Sequence, residues 1–569
     1  MRAIQSLALR LHFVLTVIVL FLLAACGSQP TVVTPRPAAA AIASADPQAT
    51  AAGEEILAAG GNAFDAAVAV SAALSVVEPA SSGLGGGGFF LLHQAASNRQ
   101  VFVDAREVAP AASSTDMYLD MDGEPLSQAT YTGPLAAGIP GLPAGLVHLA
   151  ETYGRLPLSR SLAPAIRLAD EGFVATPRML LGLKFRRSAY EGSPAFKEIF
   201  IPGDSLPVPG DVIYQPDLAE TLRRMSQEGS DGFYRGQTAE LLVEGVRDNG
   251  GIWTLADLAA YRVVERKPII FEYRGVRVVS APPPSSGGIV LATMFNVLAG
   301  YDVSELSSAD IAHVNIESMR RAYRDRAEYL GDSDFVEIPV SRLLSHSYAA
   351  ELRESIDMQY ATSSETLRPA WSDGSEGNDT THFSILDSEG NRVAATQSIN
   401  TWYGAAFMPA GTGVILNNEM DDFSTKPGVP NSFGLVGAAA NAVAPNKRML
   451  SSMSPTFLES DEGIAILGTP GGSRIITQIS LAAQAWMQGA DATQMVELKR
   501  YHQQYLPDAV AYESGAFSAD DIAILTARGH VLRESKRPFG NMNVVTWRYA
   551  DNQVDAATDP RGEGEGRVY

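Results

Sequence analysis

At Thr380 the chain changes character. An acidic, Ser-rich stretch from Ser372 to Asp379 gives way to alternating residues from Thr380 to Asp387, a Ser388-Glu389-Gly390-Asn391 turn, and a second alternating run from Val393 to Ile399. Successive side chains of a strand point to opposite faces, so this pattern around a Gly/Asn turn specifies an antiparallel hairpin. With residue 387 set opposite 392 across a four-residue turn, Thr380 falls opposite Ile399 and diagonal to Ser398. Two hydroxyls then converge at one strand end. Thr and Ser are common in strands, so periodicity alone does not make the pair a site.

Upstream, the Ala-rich apolar pattern from Pro47 to Val77 predicts two helices, broken at Gly60-Gly61-Asn62 and stopped by Glu78-Pro79. The glycine cluster Gly83 to Gly88 leads into Phe89-Phe90-Leu91-Leu92 and, after a polar turn, Val101-Phe102-Val103, which read as paired strands and as the start of the sheet. Residues 140 to 360 read as mainly helical, with rigid connections such as Ala281 to Gly288. Gly83-x-Gly85-x-x-Gly88 has the letters of a dinucleotide fingerprint. It follows a helix and precedes strands, the reverse of the context that binds pyrophosphate, which excludes a nicotinamide or flavin enzyme.

The N-terminus carries a targeting signal. Arg2 and Arg10 precede an apolar run from Leu11 to Leu23, too short and too N-terminal for a simple spanning helix, and therefore a signal peptide. The run ends Leu23-Ala24-Ala25-Cys26, similar to the lipobox of bacterial lipoproteins, in which the chain is cut before a cysteine that becomes lipidated. Cys26 is the chain's one cysteine, so no internal disulfide can form. Pro30, Pro35 and Pro37 among Ser, Thr and Ala suggest an extended tether between membrane and body. The expected location is therefore the periplasm or cell surface of a bacterium. That route also makes the Asn378-Asp379-Thr380 sequon irrelevant.

The 569-residue chain is 46% hydrophobic and 19% charged, a folded enzyme's composition, and its net charge is −21. Removing residues 1–25 takes two arginines and no acid, giving −23. No local basic patch relieves this, so nucleic acid is excluded as a partner. Any anion site must be local.

The string Asn378-Asp379-Thr380-Thr381-His382-Phe383-Ser384 resembles the processing site of γ-glutamyltransferases. Asn417-Asn418-Glu419-Met420-Asp421-Asp422-Phe423, Leu450 to Pro455, and Gly471-Gly472-Ser473-Arg474 follow in that family's order and spacing. The Gly85–Gly88 cluster, Asp104 to Pro110, Pro282 to Gly288 and Asp559-Pro560-Arg561 extend the resemblance over essentially the whole mature chain. It implies an N-terminal-nucleophile hydrolase, a four-layer αββα sandwich. The implied organisation is a signal peptide (1–25), a lipidated tether (26–46), a large subunit (47–379) and a small catalytic subunit (380–569), the two subunits forming a heterodimer.

The implied chemistry centres on Thr380. In the precursor its hydroxyl attacks the Asp379 carbonyl, the acyl group shifts from nitrogen to oxygen, and hydrolysis frees the Thr380 amine. An α-amino group titrates at about 7.7–8.0, so nucleophile and base then share one residue. No histidine base is needed, and His382 reads as structural. The eight histidines lack metal-ligand spacing, so no metal or cofactor is implied.

The resemblance assigns Ser398, where the family often has threonine, to the hydroxyl that hydrogen-bonds the nucleophile. Gly471 and Gly472 precede an expected helix from Ile475 to Met487 and fit oxyanion donors. A γ-glutamyl substrate such as glutathione is a zwitterion at its reactive end, needing a cation and an acid. Arg106 and Asp422 match those roles, Ser451 and Ser452 match carboxylate-holding hydroxyls, and Asn400 and Glu419 match contacts to the amine. Pro427 to Ala438 resembles the family's lid loop, with Phe433 where a tyrosine often stands. Without the hydroxyl a looser lid is expected, favouring hydrolysis over transfer. An acylase of the same fold acting on glutaryl amides is the near rival, though Asp422 would then face no cation. A tethered binding lipoprotein without catalysis is the distant one.

Overall fold

Two antiparallel sheets stack face to face, each covered on its outer side by helices. The structure is a computed structural model that describes residues 36–367, 380–537 and 539–569, of which Pro37–Tyr569 form one compact unit. The signal segment, Cys26 and the processing residue Asp379 lie outside the described residues.

The first sheet runs Glu565–Val568, Ala41–Ser44, Thr381–Leu386, Arg392–Ser398, Gly87–Gln94, Arg99–Ala105 and Val264–Arg266. The second runs Gln553–Thr558, Asn543–Arg548, Gly463–Gly468, Thr456–Glu459, Val276–Ser280 and Ile269–Tyr273. In the first sheet alternate residues serve different cores. Phe90, Leu92, Val101, Val103, Phe383, Ile385 and Val393 pack toward the helices Pro47–Ala58, Ala63–Val77, Leu142–Thr152 and Leu158–Glu171. Phe89, Leu91, Phe102 and Ala394 face the second sheet and share its core. Strands buried on both faces need apolar residues at every position, which is why Phe89 to Leu92 shows no polar alternation. Each fully buried Phe, Leu, Ile or Val contributes about 1.5–3 kcal/mol, so this double burial is the main source of stability. Gly287–Leu298, Ser308–Tyr329, Ile475–Met487 and Ala492–Glu497 form the outer layer over the second sheet, completing αββα.

Local signals explain the opening helices. Asp46 caps the first by accepting from the Gln48 amide at 2.7 Å, with Pro47 in its first turn. Asn62 and Asp65 form a capping box on the second, whose fifteen residues are all buried.

Three expectations need correction. The tether expected to reach residue 46 ends earlier, and Ala41–Ser44 is a buried strand between Thr381–Leu386 and Glu565–Val568. The first sheet therefore starts there, not at Phe89. The mainly helical reading of 140–360 passed over the hairpin Ile269–Tyr273/Val276–Ser280, closed by Arg274 (φ 50) and Gly275 (φ 79). Two positive-φ residues make the turn whose twist suits a two-residue hairpin. The register across Ser388–Gly390 is also one residue tighter than expected. Asp387 and Asn391 close the turn through an amide–carbonyl bond of 3.0 Å, Gly390 takes φ 92, and Asp387 Oδ1 accepts from the Glu389 and Asn391 amides. The loop holds three residues rather than four, so Gln397 pairs with Thr381.

Candidate active site

The hairpin register brings the two hydroxyls together. Thr380 sits one step beyond the last ladder pair, across from Ser398, and their Oγ atoms are 3.4 Å apart. On its other side Ser398 pairs with Gly87. The Ser398 Oγ accepts the Asn400 amide at 2.8 Å and lies within hydrogen-bond reach of the Glu419 carboxyl as well as of the Thr380 oxygen. Asn400 adopts φ 76, and its side-chain amide donates to the Asn418 carbonyl at 2.9 Å. Its amide oxygen thus remains an acceptor.

The glycines upstream let this happen. A Cβ at Gly86 would collide with the Ser398 carbonyl oxygen, and one at Gly85 with the Ile415 carbonyl oxygen. Asn417 and Asn418 brace the neighbouring loops: the first bonds Gly85 and Gly138, the second Thr401 and Tyr131.

A small cavity of about 20 Å³ is lined by Thr380, Ser398, Asn400, Arg106, Glu419, Asp422, Phe433, Ser451, Ser452 and Gly472, together with Leu435, Met453, Ser473 and Ile475. Of the last four, Leu435, Met453 and Ser473 lie within segments named from the sequence but carry no assigned role there, and Ile475 opens the helix that follows. Such a volume holds about one water, so a substrate needs the walls to move. Gly471 lines a separate, larger cavity of about 740 Å³ with Trp402, Phe185, Arg178, Arg537 and others. The Gly471–Gly472 peptide therefore stands between the two. It opens a 3₁₀ turn, Gly472–Arg474, that runs into the helix Ile475–Met487.

Arg106 is buried and meets three carboxylates: Asp422 at 2.5 Å, Glu419 at 2.7 Å and Glu107 at 3.6 Å. Burial disfavours its charge, but Glu419, Glu107 and Asp422 outweigh that and strengthen its hold on the proton. Burial drives Glu107 up to about 7 against the pull of Arg106, and drives Glu419 well above the ordinary carboxylate range. Asp422 is the most accessible of these acids, its side chain 13% exposed. Ser451 Oγ accepts the Met453 amide at 3.1 Å and Ser452 Oγ accepts from Arg326 at 3.2 Å. Each hydroxyl keeps a proton to donate.

Among the described residues no group of three His, Cys, Asp or Glu side chains could hold a metal ion. His382 is buried and neutral, pushed down to about 3 by burial, with Nδ1 on Thr396 and Nε2 on Ser384.

Residues 49–569 match the family model described as gamma-glutamyltranspeptidase. The chain belongs to the gamma-glutamyltranspeptidase family. It is 45% identical over 441 residues to a glutathione hydrolase proenzyme of Pseudomonas sp. (strain A14), covering 77% of this chain and 76% of that one. It is 40% identical over 464 residues to the glutathione hydrolase proenzyme of Escherichia coli (strain K12), covering 81% and 80%. Among solved structures, the cephalosporin acylase from Bacillus halodurans superposes with a TM-score of 0.81 at 27% identity, over 95% of this chain and 98% of that one. Within the gamma-glutamyltranspeptidase family the αββα body is that of an N-terminal-nucleophile hydrolase, an enzyme with hydrolase and transferase activity, made as a proenzyme.

The segment Pro427 to Ala438, expected to be the lid, contributes Phe433 and Leu435 to the wall of the small cavity. Phe433 is buried, its ring filling the space where a Gly472 side chain would be. The loop is tied by Ser432 to Asp421 at 2.9 Å, Asn431 to Asp422 at 3.2 Å, and Gln504 to the Phe433 carbonyl at 3.1 Å. None of these ties needs a hydroxyl on residue 433, so the looseness expected of a phenylalanine lid meets anchors that the sequence did not reveal.

Proposed function

We propose that the chain cuts itself between Asp379 and Thr380, and that the freed Thr380 attacks the γ-amide of glutathione and related γ-glutamyl compounds. The observation that carries this reading is the 3.4 Å approach of the Thr380 and Ser398 hydroxyls at the wall of the cavity that also holds Arg106 and Asp422. The Thr380 amine takes the hydroxyl proton, Ser398 orients the oxygen, and the Gly471–Gly472 amides stabilise the tetrahedral oxyanion. Collapse expels the amine, leaving a γ-glutamyl ester on Thr380, which water or the amine of an amino acid or peptide then opens. The larger cavity beside Gly471 suits the leaving group and the acceptor.

The substrate's α-carboxylate goes to Arg106, Ser451 and Ser452, and its α-ammonium to Asp422, Glu419 and Asn400. The zwitterion thus inserts into the Arg106–Asp422 pair, each end replacing one partner of an existing ion pair. A glutaryl substrate would replace only one end, leaving Asp422 without a cation, which weighs against the cephalosporin-acylase reading. No cofactor takes part. Cys26 anchors the exported heterodimer by its lipid. Among the described residues no helix is long and apolar enough to cross a membrane.

The test is intact mass and N-terminal sequencing of purified protein beside Thr380→Ala, with a γ-glutamyl p-nitroanilide as substrate. Two chains, the smaller beginning at Thr380, and anilide cleavage that the variant lacks, are the expected result. A single uncut, inactive chain would overturn it.

A further inference from the structure

Arg326 lies in the last turn of the helix Ser308–Tyr329, 5% exposed. The other deeply buried arginines of this region have acids: Arg320 has Glu317 and Asp508, Arg321 has Glu317, and Arg448 has Asp104. Among the described residues Arg326 has no carboxylate in an ion pair. Its Nε donates to Ser286 Oγ at 3.0 Å and its Nη2 to Ser452 Oγ at 3.2 Å. Ser286 in turn donates its hydroxyl and its amide to the Ser451 carbonyl, both at 2.8 Å. One guanidinium thus braces the Ser451–Ser452 segment from two sides.

A buried charge with no carboxylate in contact is strongly unfavourable; Asp422 acts on Arg326 only from beyond ion-pair distance, so a ligand that brings a negative charge to Ser452 would complete the pairing. The nearest anion site is the one served by Ser451 and Ser452. Arg106 alone is poorly placed to provide its positive potential, because Asp422 already pairs with it at 2.5 Å, while Glu419 and Glu107 stand beside it, both held toward their protonated forms by burial. Two of those, Glu419 and Asp422, are the groups that the ammonium needs. We propose that Arg326 is the second cation of the glutamyl site, a positioning residue that acts through Ser452 to compensate the substrate's α-carboxylate and so to select donors that carry one. The inference rests on the reading of Ser451 and Ser452 as carboxylate-holding hydroxyls. Accepting a bond from a guanidinium makes the Ser452 hydroxyl a stronger donor to an anion. The same helix also reaches the oxyanion turn, where the Tyr323 hydroxyl donates to the Ser473 carbonyl, and the end of the lid, where the Ala438 amide donates to the Ala327 carbonyl at 3.0 Å. The helix end therefore joins carboxylate recognition to the walls of the site.

The experiment compares product inhibition by L-glutamate and by 4-aminobutyrate, which lacks the α-carboxylate, in the parent and in Arg326→Met. The variant is expected to lose roughly tenfold or more of the preference for glutamate, the scale of one charged hydrogen bond, with 4-aminobutyrate binding unchanged. Its thermal midpoint is expected to hold or rise, because an unpaired buried charge has been removed. Arg326→Lys, which keeps the charge, is expected to recover most of the preference. A variant that weakens both inhibitors alike, or that fails to fold, would show Arg326 to be structural and overturn the proposal. Ser452→Ala separates the two readings: if it keeps the preference while Arg326→Met loses it, the serine assignment fails alone. If Ser452→Ala loses the preference and Arg326→Met keeps it, the second cation fails alone.

Discussion

Ser398 faces Thr380 directly across the hairpin, their hydroxyl oxygens 3.4 Å apart, because the turn between their strands holds three residues and not four. In the facing geometry the Asn400 amide donates to Ser398, whose hydroxyl lies between the Thr380 oxygen and the Glu419 carboxyl. Ser398→Ala is therefore expected to lower kcat for a γ-glutamyl anilide by roughly 10- to 100-fold, the worth of one oriented hydrogen bond to a charged or developing-charge centre. Ser398→Thr keeps the hydroxyl and should stay within about threefold. Steady-state kinetics on the processed proteins decide it, and equal rates in parent and Ala variant would remove Ser398 from the mechanism.

The glycine cluster makes a sharper prediction, because its members differ. A Cβ at Gly86 would overlap the Ser398 carbonyl oxygen at 2.1 Å, while one at Gly88 would meet Gln397 Cβ at 3.1 Å and the Thr396 carbonyl oxygen at 3.2 Å. A shift of a few tenths of an ångström relieves the contacts at Gly88 but not the overlap at Gly86. Gly86→Ala is expected to cost about 3 kcal/mol or more and to impair self-cleavage. Gly88→Ala should cost about 1 kcal/mol and cleave normally. Gel analysis of processing with thermal unfolding reads both, and similar behaviour of the two variants would refute the collision argument.

Burial sets a pH dependence at His382. Buried, its imidazole is held neutral down to about 3, whereas in the unfolded chain it protonates near 6.5. Below pH 6.5 the unfolded state binds a proton that the native state refuses, so the stability from this group is complete above 6.5 and drains away as pH falls toward 3. His93, His502 and His530 are shifted down by burial as well, while Asp46 and Glu107 are shifted up by burial and oppose them. Comparing parent with His382→Gln cancels those shared contributions. The variant should be less stable at pH 7, and the gap should narrow by about 2 kcal/mol by pH 5, measured by urea unfolding. A gap independent of pH would mean that His382 takes up its proton at the same pH in the folded and unfolded chain, so that burial does not hold it neutral.

Legibility followed the strength of the local signal. Alternation around Gly390 specified the hairpin, yet the loop length turned on Gly390 taking φ 92 and on the Asp387 side chain capping the Glu389 and Asn391 amides, which spacing does not display. Ala41–Ser44 was hidden because Ala-Ile-Ala-Ser after an Ala/Pro run has the composition of a tether. Its strand exists only because Thr381–Leu386 and Glu565–Val568 lie on either side. The cavity-lining residues from Arg106 to Ser452 were legible through motifs shared with a family, since an isolated Arg or Ser carries no such meaning. Arg326 was not legible at all, because a charged residue on a helix reads as solvated until the structure shows it buried beside Ser286 and Ser452.

The lid offers the last test, and it turns on a residue far from it in sequence. Gln504 donates to the Phe433 carbonyl at 3.1 Å while its side-chain oxygen meets His502 Nε2 at 2.8 Å, so the amide cannot rotate without losing a partner. A lid held this way does not depend on a tyrosine hydroxyl. Gln504→Leu keeps the volume and cuts the tie, letting water reach the acyl-enzyme more often. The ratio of hydrolysis to transfer, measured by chromatography with a dipeptide acceptor, is expected to rise roughly three- to tenfold, with anilide turnover changed by less than about threefold. Phe433→Tyr adds a hydroxyl to a loop already tied at Asp421, Asp422 and Gln504, and should shift the ratio less than Gln504→Leu does. If instead the tyrosine variant moves the ratio strongly toward transfer and the leucine variant leaves it alone, the lid of this enzyme is loose, and the Gln504 tie does not govern water access.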